Sequence, residues 1–275
     1  MRILVTNDDG IESTGLHVLA RAMTEHGDVV VVAPDREFSG ASVAIGAIWE
    51  FVPEVTRHRI DGVSEAWAVN GPPALCVMYA RLGAFNGPFD LVVSGINPGA
   101  NVGRSVYHSG TIGACLSGRN GGWSGVAVSQ SVAGMAIEGQ RTWTDVLGSQ
   151  KWHVAAEVAS HYVGGLVANM PSEPVVVNLN VPNTELDEIQ GWAIGEVGRL
   201  PPRAMSSVAL VPTEDPDRFG LDIQWGDLID LPDHTDGGLI ENNRVSVTYL
   251  SRLDGEHRDD MAKAEAALDG LITRR

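Results

Sequence analysis

Cysteine is nearly absent from this 275-residue chain: only Cys76 and Cys115 occur, with no CxxC pair and no paired His/Cys spacing. That excludes a disulfide-stapled scaffold or a zinc ribbon and predicts two reduced thiols in the core of a cytoplasmic protein. Basic residues are also few, 19 Lys and Arg against 35 Asp and Glu, for a net charge of −16. Such a surface repels nucleic-acid polymers and anionic membranes, so any phosphate the protein handles is expected to be small and met by local cations. No apolar stretch reaches the ~18 residues of a membrane span. The opening MRILVTNDDG, a short apolar run broken by acids, is not expected to act as a secretory signal. Internal repeats, low-complexity tracts and an interdomain linker are lacking as well.

What is present is an alternation of buried strands and helices. RILVT reads as a strand buried on both faces, Leu16, Leu19, Ala20 and Met23 recur at helical spacing, and DVVVVAP is a second buried strand, which makes one βαβ unit. AIWEFVPEV and SEAWAV, within residues 45–69, read as an antiparallel pair outside the main sheet. NGPPALCVMYARLGAF opens a helix at its prolines, and FDLVVSGIN is the next strand. After a glycine-rich stretch come the strand GVAVSQ, a long helix over about 152–169 and the strand PVVVNLNVP. Residues 186–240 show little periodicity and are expected to form hairpins and loops, and RVSVTYL is a late strand. DDMAKAEAALDGLITR then places Met261, Ala264, Leu268 and Leu271 on one helical face. The expected architecture is one α/β domain over 1–275, a doubly wound, Rossmann-like, mostly parallel sheet, with a β-rich excursion at 45–69 and a C-terminal tail from about 240.

In open α/β sheets ligands bind beyond the carboxyl ends of the strands, so the residues that follow each strand are informative. The first strand ends in Asn7-Asp8-Asp9-Gly10, the second in PDREFSGAS, and FDLVVSGIN at Asn97; the glycine-rich stretch then runs to Ser109, Gly110 and Thr111. A dinucleotide fingerprint would need GxGxxG, and the first turn offers only Gly10 and Gly15 with acids ahead of them. Two carboxylates there repel phosphate directly. A hard divalent cation such as Mg²⁺, Ca²⁺ or Mn²⁺ reverses the sign, because oxygen ligands suit it and it can hold phosphate oxygens in turn. The competing reading is an ordinary Asx turn in which Asp8 or Asp9 caps the helix beginning near Gly15, and Ser39 taken alone reads equally as a turn residue.

The segments ILVTNDDGI, VVAPDREFSGAS, VNGPPA, DLVVSGINPGANVG and YHSGTIGA, in this order and spacing, resemble the SurE (stationary-phase survival protein E) family of metal-dependent 5′/3′-nucleotidases, also described as acid phosphatases. The match is dense over 1–130, thins through 131–233 and returns at HTDGGLIENNRVSVTYL. The resemblance implies one Mg²⁺ or Mn²⁺ per subunit, with Asp8, Asp9, Ser39 and Asn97 as metal ligands and Asp8, Asp9, Asn101 and Ser109 as catalytic residues. Asn101, Ser109 and the Gly110-Thr111 turn would hold the substrate phosphate, with a favourable dipole from the helix that starts after Ser109. It also implies a small nucleotide substrate and a homodimer or homotetramer assembled through the tail.

Three positions depart from the family pattern beside the rim: Pro72 stands where Thr is usual, Leu75 where an acid is usual, and Ser117 where Glu is usual. They make a non-catalytic or weakened metal- and nucleotide-binding relative the alternative reading, while an oxidoreductase on the same sheet is disfavoured by the missing glycine fingerprint. His108, Arg36 and Arg104 border the motifs and are candidates for phosphate contact or ion pairing. Trp49 and Trp67 are expected to pack rather than stack a base. Asp233 to Asp236 reach the site only if the tail folds back.

Overall fold

The computed structural model describes residues 1–46, 52–132, 143–200, 205–227, 229–269 and 271–272. Among these, β1 (Arg2–Thr6), β2 (Asp28–Pro34), β4 (Glu65–Val69), β5 (Leu91–Pro98), β6 (Ser124–Gln130) and β7 (Val176–Val181) form a parallel sheet. β3 (Val55–His58) lies antiparallel on β4 at one edge. At the other edge, β11 (Val245–Leu250) runs antiparallel to β7, and β8 (Trp192–Ile194) runs parallel to β11. The sheet order is β3-β4-β2-β1-β5-β6-β7-β11-β8. The chain therefore winds outward from β1 to one side and restarts on its other side at β5, which makes the β1/β5 boundary a topological switch point.

The strands are apolar on both faces because helices cover both. Ile3, Val5, Val29 and Val31 pack with α1 (Thr14–Met23) and with α5 (Trp152–Ala168), the last helix of the described stretch that starts at α4 (Trp143–Gly148). Leu4, Val30, Val32 and Val92 pack on the opposite side with α2 (Pro73–Arg81) and α3 (Gly110–Asn120). Cys76 of α2 and Cys115 of α3 are buried free thiols in that second layer, and burial pushes both well above the usual thiol range. α1 begins where Ser13 accepts the Leu16 N–H, and it buries Leu16, Leu19, Ala20 and Met23. Pro73 opens α2, where a missing N–H is harmless.

Two expectations need correction. SEAWAV holds β4, but its antiparallel partner β3 begins only at the last residue of AIWEFVPEV, of which 47–51 lie outside the described residues; β4 adds parallel to β2, so the β3–β4 pair extends the main sheet instead of leaving it. Alternation in a short segment marks a strand without naming its partner. The second correction concerns the tail: residues from about 240 are not all peripheral, since β11 sits inside the sheet and follows α6 (Asp236–Glu241). Past Leu250 the described residues are exposed, including α7 (Ala262–Asp269), with Leu253 97% and Leu271 80% accessible. β9 (Met205–Pro212) and β10 (Phe219–Trp225) form the hairpin expected in 186–240, paired only with each other. Trp49 lies outside the described residues. No helix among the described residues is long and apolar enough to cross a membrane.

Candidate active site

A cleft of about 480 Å³ opens over the carboxyl ends of β1 and β5, lined by Asp8, Asp9, Glu37, Ser39, Gly40, Asn97, Pro98, Asn101, Ser105, His108 and Ser109. Six residues drawn from distant motifs, Asp8, Asp9, Ser39, Asn97, Asn101 and Ser109, thus meet at the switch point.

The DDG turn is set by Gly10, whose φ of +100° strains any other residue and whose Cβ would stand 3.1 Å from the Arg36 backbone. The helix-capping role considered for Asp8 and Asp9 is overturned, because Ser13 caps α1 and the helix starts at Thr14. Asp8 is buried and anchored by another helix. The Thr111 hydroxyl donates to its Oδ1 at 2.6 Å, and the Gly110 and Thr111 backbone N–H groups also hold the carboxylate. A side chain at Gly110 would stand 2.8 Å from Asp8 Oδ2, so this close approach requires glycine. Gly110 and Thr111, which the resemblance implies as phosphate contacts, are both buried beside the cleft, where the donors at the start of α3 hold Asp8. The helix dipole consequently acts on a carboxylate first.

Asp9 is left without such support. Its Oδ2 is buried and has no hydrogen-bond partner. Burial, then the Asp8 charge, then the Glu37 charge push its carboxyl up to about 8, and burial raises Asp8 as well against the lowering effect of its hydrogen bonds. Both shifts say that adjacent negative charges lack compensation here.

The remaining groups present oxygen. Asn97 donates Nδ2 to the Gly99 carbonyl at 2.7 Å, which leaves Oδ1 for the cleft. Ser39 is exposed, and its hydroxyl donates to Glu37 at 2.8 Å, so its oxygen lone pairs remain available. Two carboxylates, an amide oxygen and a hydroxyl suit a hard divalent cation. The buried, unpartnered Asp9 oxygen is the observation that such a cation fits. Among the described residues no three His, Cys, Asp or Glu side chains converge as a metal-binding group, so the set depends on its neutral oxygens.

Asn101 belongs to a different environment. Its N–H donates to Asn180 Oδ1 at 2.8 Å, its carbonyl accepts from Asn178 Nδ2 at 2.8 Å, and its own Nδ2 donates to Ser129 Oγ at 2.9 Å. These three buried supports were missed from sequence, although two asparagines at a spacing of two inside the apolar strand PVVVNLNVP are a legible signal of a polar network on one face. Ser109 caps α3 by accepting the Ile112 N–H at 3.1 Å, and its hydroxyl proton stays free while it lines the cleft. Glu37 was also missed; its position two residues before Ser39 in the same loop was the available clue.

Of the flanking candidates, His108 lines the cleft. Arg36 bonds Asp35 and Asn70, and Arg104 donates to the Arg199 carbonyl. Trp67 packs under Arg57 and against Phe85. Leu75 is fully buried and Ser117 donates to the Ala74 carbonyl of α2, so these departures, with buried Pro72, belong to the α2–α3 layer and do not line the cleft.

The family described as "Survival protein SurE" matches residues 3–202. A protein named 5′-nucleotidase SurE from Aeromonas hydrophila is 36% identical over 257 residues, covering 91% of this chain and 92% of that protein. Its namesake from Mannheimia succiniciproducens is 36% identical over 254 residues, with the same two coverages. The crystal structure of the SurE protein from Aquifex aeolicus superposes with a TM-score of 0.72 at 28% identity, over 98% of this chain and 99% of that one. The family match, the curated relatives and the superposed structure agree, and the chain belongs to the SurE family.

Proposed function

We propose that this protein is a divalent-metal-dependent phosphomonoesterase that hydrolyses nucleoside 5′- and 3′-monophosphates to nucleoside and phosphate. The relatives named 5′-nucleotidase support the nucleotidase part. The observation that carries the metal part is the buried, unpartnered Asp9 carboxylate oxygen beside Asp8, in a cleft that adds the Glu37 carboxylate, neutral oxygens and N–H or O–H donors.

Asp8, Asp9, Asn97 and Ser39 would hold Mg²⁺ or Mn²⁺. The bound cation supplies neutralisation of the two carboxylates and polarisation of the phosphoryl group. Thr111 and the start of α3 fix Asp8 in the orientation needed for ligation. The Ser109 hydroxyl proton and the second Nδ2 proton of Asn101 would donate to phosphoryl oxygens, where hydrogen bonds strengthen as charge builds in the transition state. Ser105 and His108 line the same space and are placed to contact the departing nucleoside oxygen or its proton.

Chelation tests the reading. EDTA abolishes phosphate release from nucleoside 5′- and 3′-monophosphates, and added Mg²⁺ or Mn²⁺ restores it; hydrolysis that resists the chelator rejects the metal assignment. Assembly into a homodimer or homotetramer belongs to the same proposal, supported by the exposed apolar side chains beyond β11. Unchanged sedimentation of a chain ending at residue 255 would reject that role for the tail.

A further inference from the structure

Asp236 lies outside the motifs at the cleft and does not line it, yet its fully buried carboxylate joins three segments of the chain. Oδ1 accepts the Gly198 and Gly237 N–H groups at 2.9 and 2.8 Å, and Oδ2 accepts the Gly103 N–H at 2.9 Å. Gly103 follows Asn101 by two residues. We infer that Asp236 is a positioning residue for the active site: by holding Gly103 it fixes the loop that presents Asn101 to the phosphate, an inference that rests on the phosphomonoesterase reading above.

Helix capping does not account for this side chain. Thr235 already caps α6, its hydroxyl accepting the Gly238 N–H at 3.1 Å. Burying a carboxylate is costly, and burial raises this carboxyl above its ordinary range despite its N–H donors. What the second carboxylate oxygen adds is one bond, to an amide 133 positions earlier in the chain. Asn101 is then held from both directions. Asn178 and Asn180 grip its own carbonyl and N–H from β7, and Asp236 grips the chain just after it. Val102, between them, is buried against the same α6. With the Gly103 bond cut, Asn101 keeps its partners on β6 and β7 but loses the hold on the chain after it, and its amide can drift from the phosphate. Misplacement of about 1 Å is enough to cost roughly 10²-fold in rate.

Asp236→Asn separates the two roles. An asparagine keeps its carbonyl oxygen on the Gly198 and Gly237 amides and turns its NH₂ toward the Gly103 N–H, so it severs only that tether. Below the melting temperature of both proteins, kcat for nucleoside monophosphate hydrolysis falls about 10–100-fold, the range for an outer-shell partner. KM and the metal-induced rise in Tm stay near wild type. Hydrogen-exchange protection of the amides of 99–105 is lost in the same variant. Thr235→Ala, which removes the α6 cap but leaves the tether, lowers Tm and preserves kcat. Should Asp236→Asn not fold, Gly103→Ala displaces the loop from its other end, since a Cβ there lies 3.1 Å from the Leu200 carbonyl oxygen at a φ of +55°, and it lowers kcat in the same way. Wild-type kcat in either folded variant, or an equal loss of kcat in Thr235→Ala, overturns the inference. A wild-type protein that releases no phosphate rejects the functional reading instead, and unchanged exchange over 99–105 in Asp236→Asn then overturns the tether on its own.

Discussion

Along one wall of the cleft, Asp8 and Asp9 follow β1 as adjacent acids, the first buried and the second half-buried, and among the described residues the start of α3 supports Asp8. Along the other, Asn101 has its N–H, carbonyl and side-chain amide all engaged by Asn180, Asn178 and Ser129, and Gly103 is tied to Asp236. The acidic wall has an excess of charge and a bare carboxylate oxygen, so it gains free energy when a cation arrives. On the amide wall the Asn101 N–H, carbonyl and side-chain amide all have partners before anything binds, and its donors need no reorganisation when phosphate charge builds. A ligand stabilises the first wall, whereas the second is rigid in advance. Removing a group from each wall should therefore give different signatures.

The larger effect on rate is expected on the amide wall, at Ser109. Its oxygen accepts the Ile112 N–H, and its proton is free for a phosphoryl oxygen. Ser109→Ala should lower kcat by roughly 10²-fold, as for other donors to a developing oxyanion. Loss of the cap adds about 1 kcal/mol of destabilisation. Metal affinity, followed by calorimetric titration with Mn²⁺, should stay near wild type, because Ser109 offers its proton and not a ligand lone pair. A matching fall in Mn²⁺ affinity would move Ser109 to the acidic wall and break the comparison. An unchanged kcat would leave it as the cap of α3 alone.

How much of this was legible depends on range. β1, β2, β5 and β6 each carry a short apolar run, and helix starts at Pro73 and Ser109 follow local rules, so these elements and the rim residues after them could be read directly. The convergence of Asp8, Asp9, Ser39, Asn97, Asn101 and Ser109 on one cleft was reachable because loops after parallel strands gather at one edge of the sheet. Partnerships between distant segments were not reachable. Nothing in SGTIGA shows that Asp8, 103 positions earlier, takes the Thr111 hydroxyl. Asp236 was recognised only as an acid that might fold back, and its bond to Gly103 depends on the placement of α6 beside the β5 loop. The β3–β4 pair was misplaced for the same reason, since pattern specifies that a segment is a strand and packing specifies which strand it joins.

The smaller effect is on stability, and it belongs to the acidic wall. Asp9 titrates near 8 in the fold against 3.8 for the unperturbed carboxyl, raised by burial and by the charges of Asp8 and Glu37. A carboxyl whose folded pKa is raised binds its proton more tightly in the native state. Its contribution is thus fully present below about pH 4 and is lost as pH rises through about 8. Metal-free protein should melt at progressively lower temperature across that window as the two acids ionise side by side. Asp9→Asn has no proton to lose at this position, so its metal-free melting temperature should match wild type near pH 4 and exceed it near pH 8. The gap should be a few degrees, roughly 2–4 °C for each kcal/mol of relieved repulsion in a domain of this size. With Mg²⁺ or Mn²⁺ present the order should invert, because the wild-type pair gains the cation and the variant has one charge fewer to hold it. Scanning calorimetry of both proteins at several pH values, with and without metal, makes the check. Parallel melting curves throughout, or a metal response unaltered by the substitution, would mean that Asp9 is an ordinary surface acid and that the two walls do not differ in the way argued here.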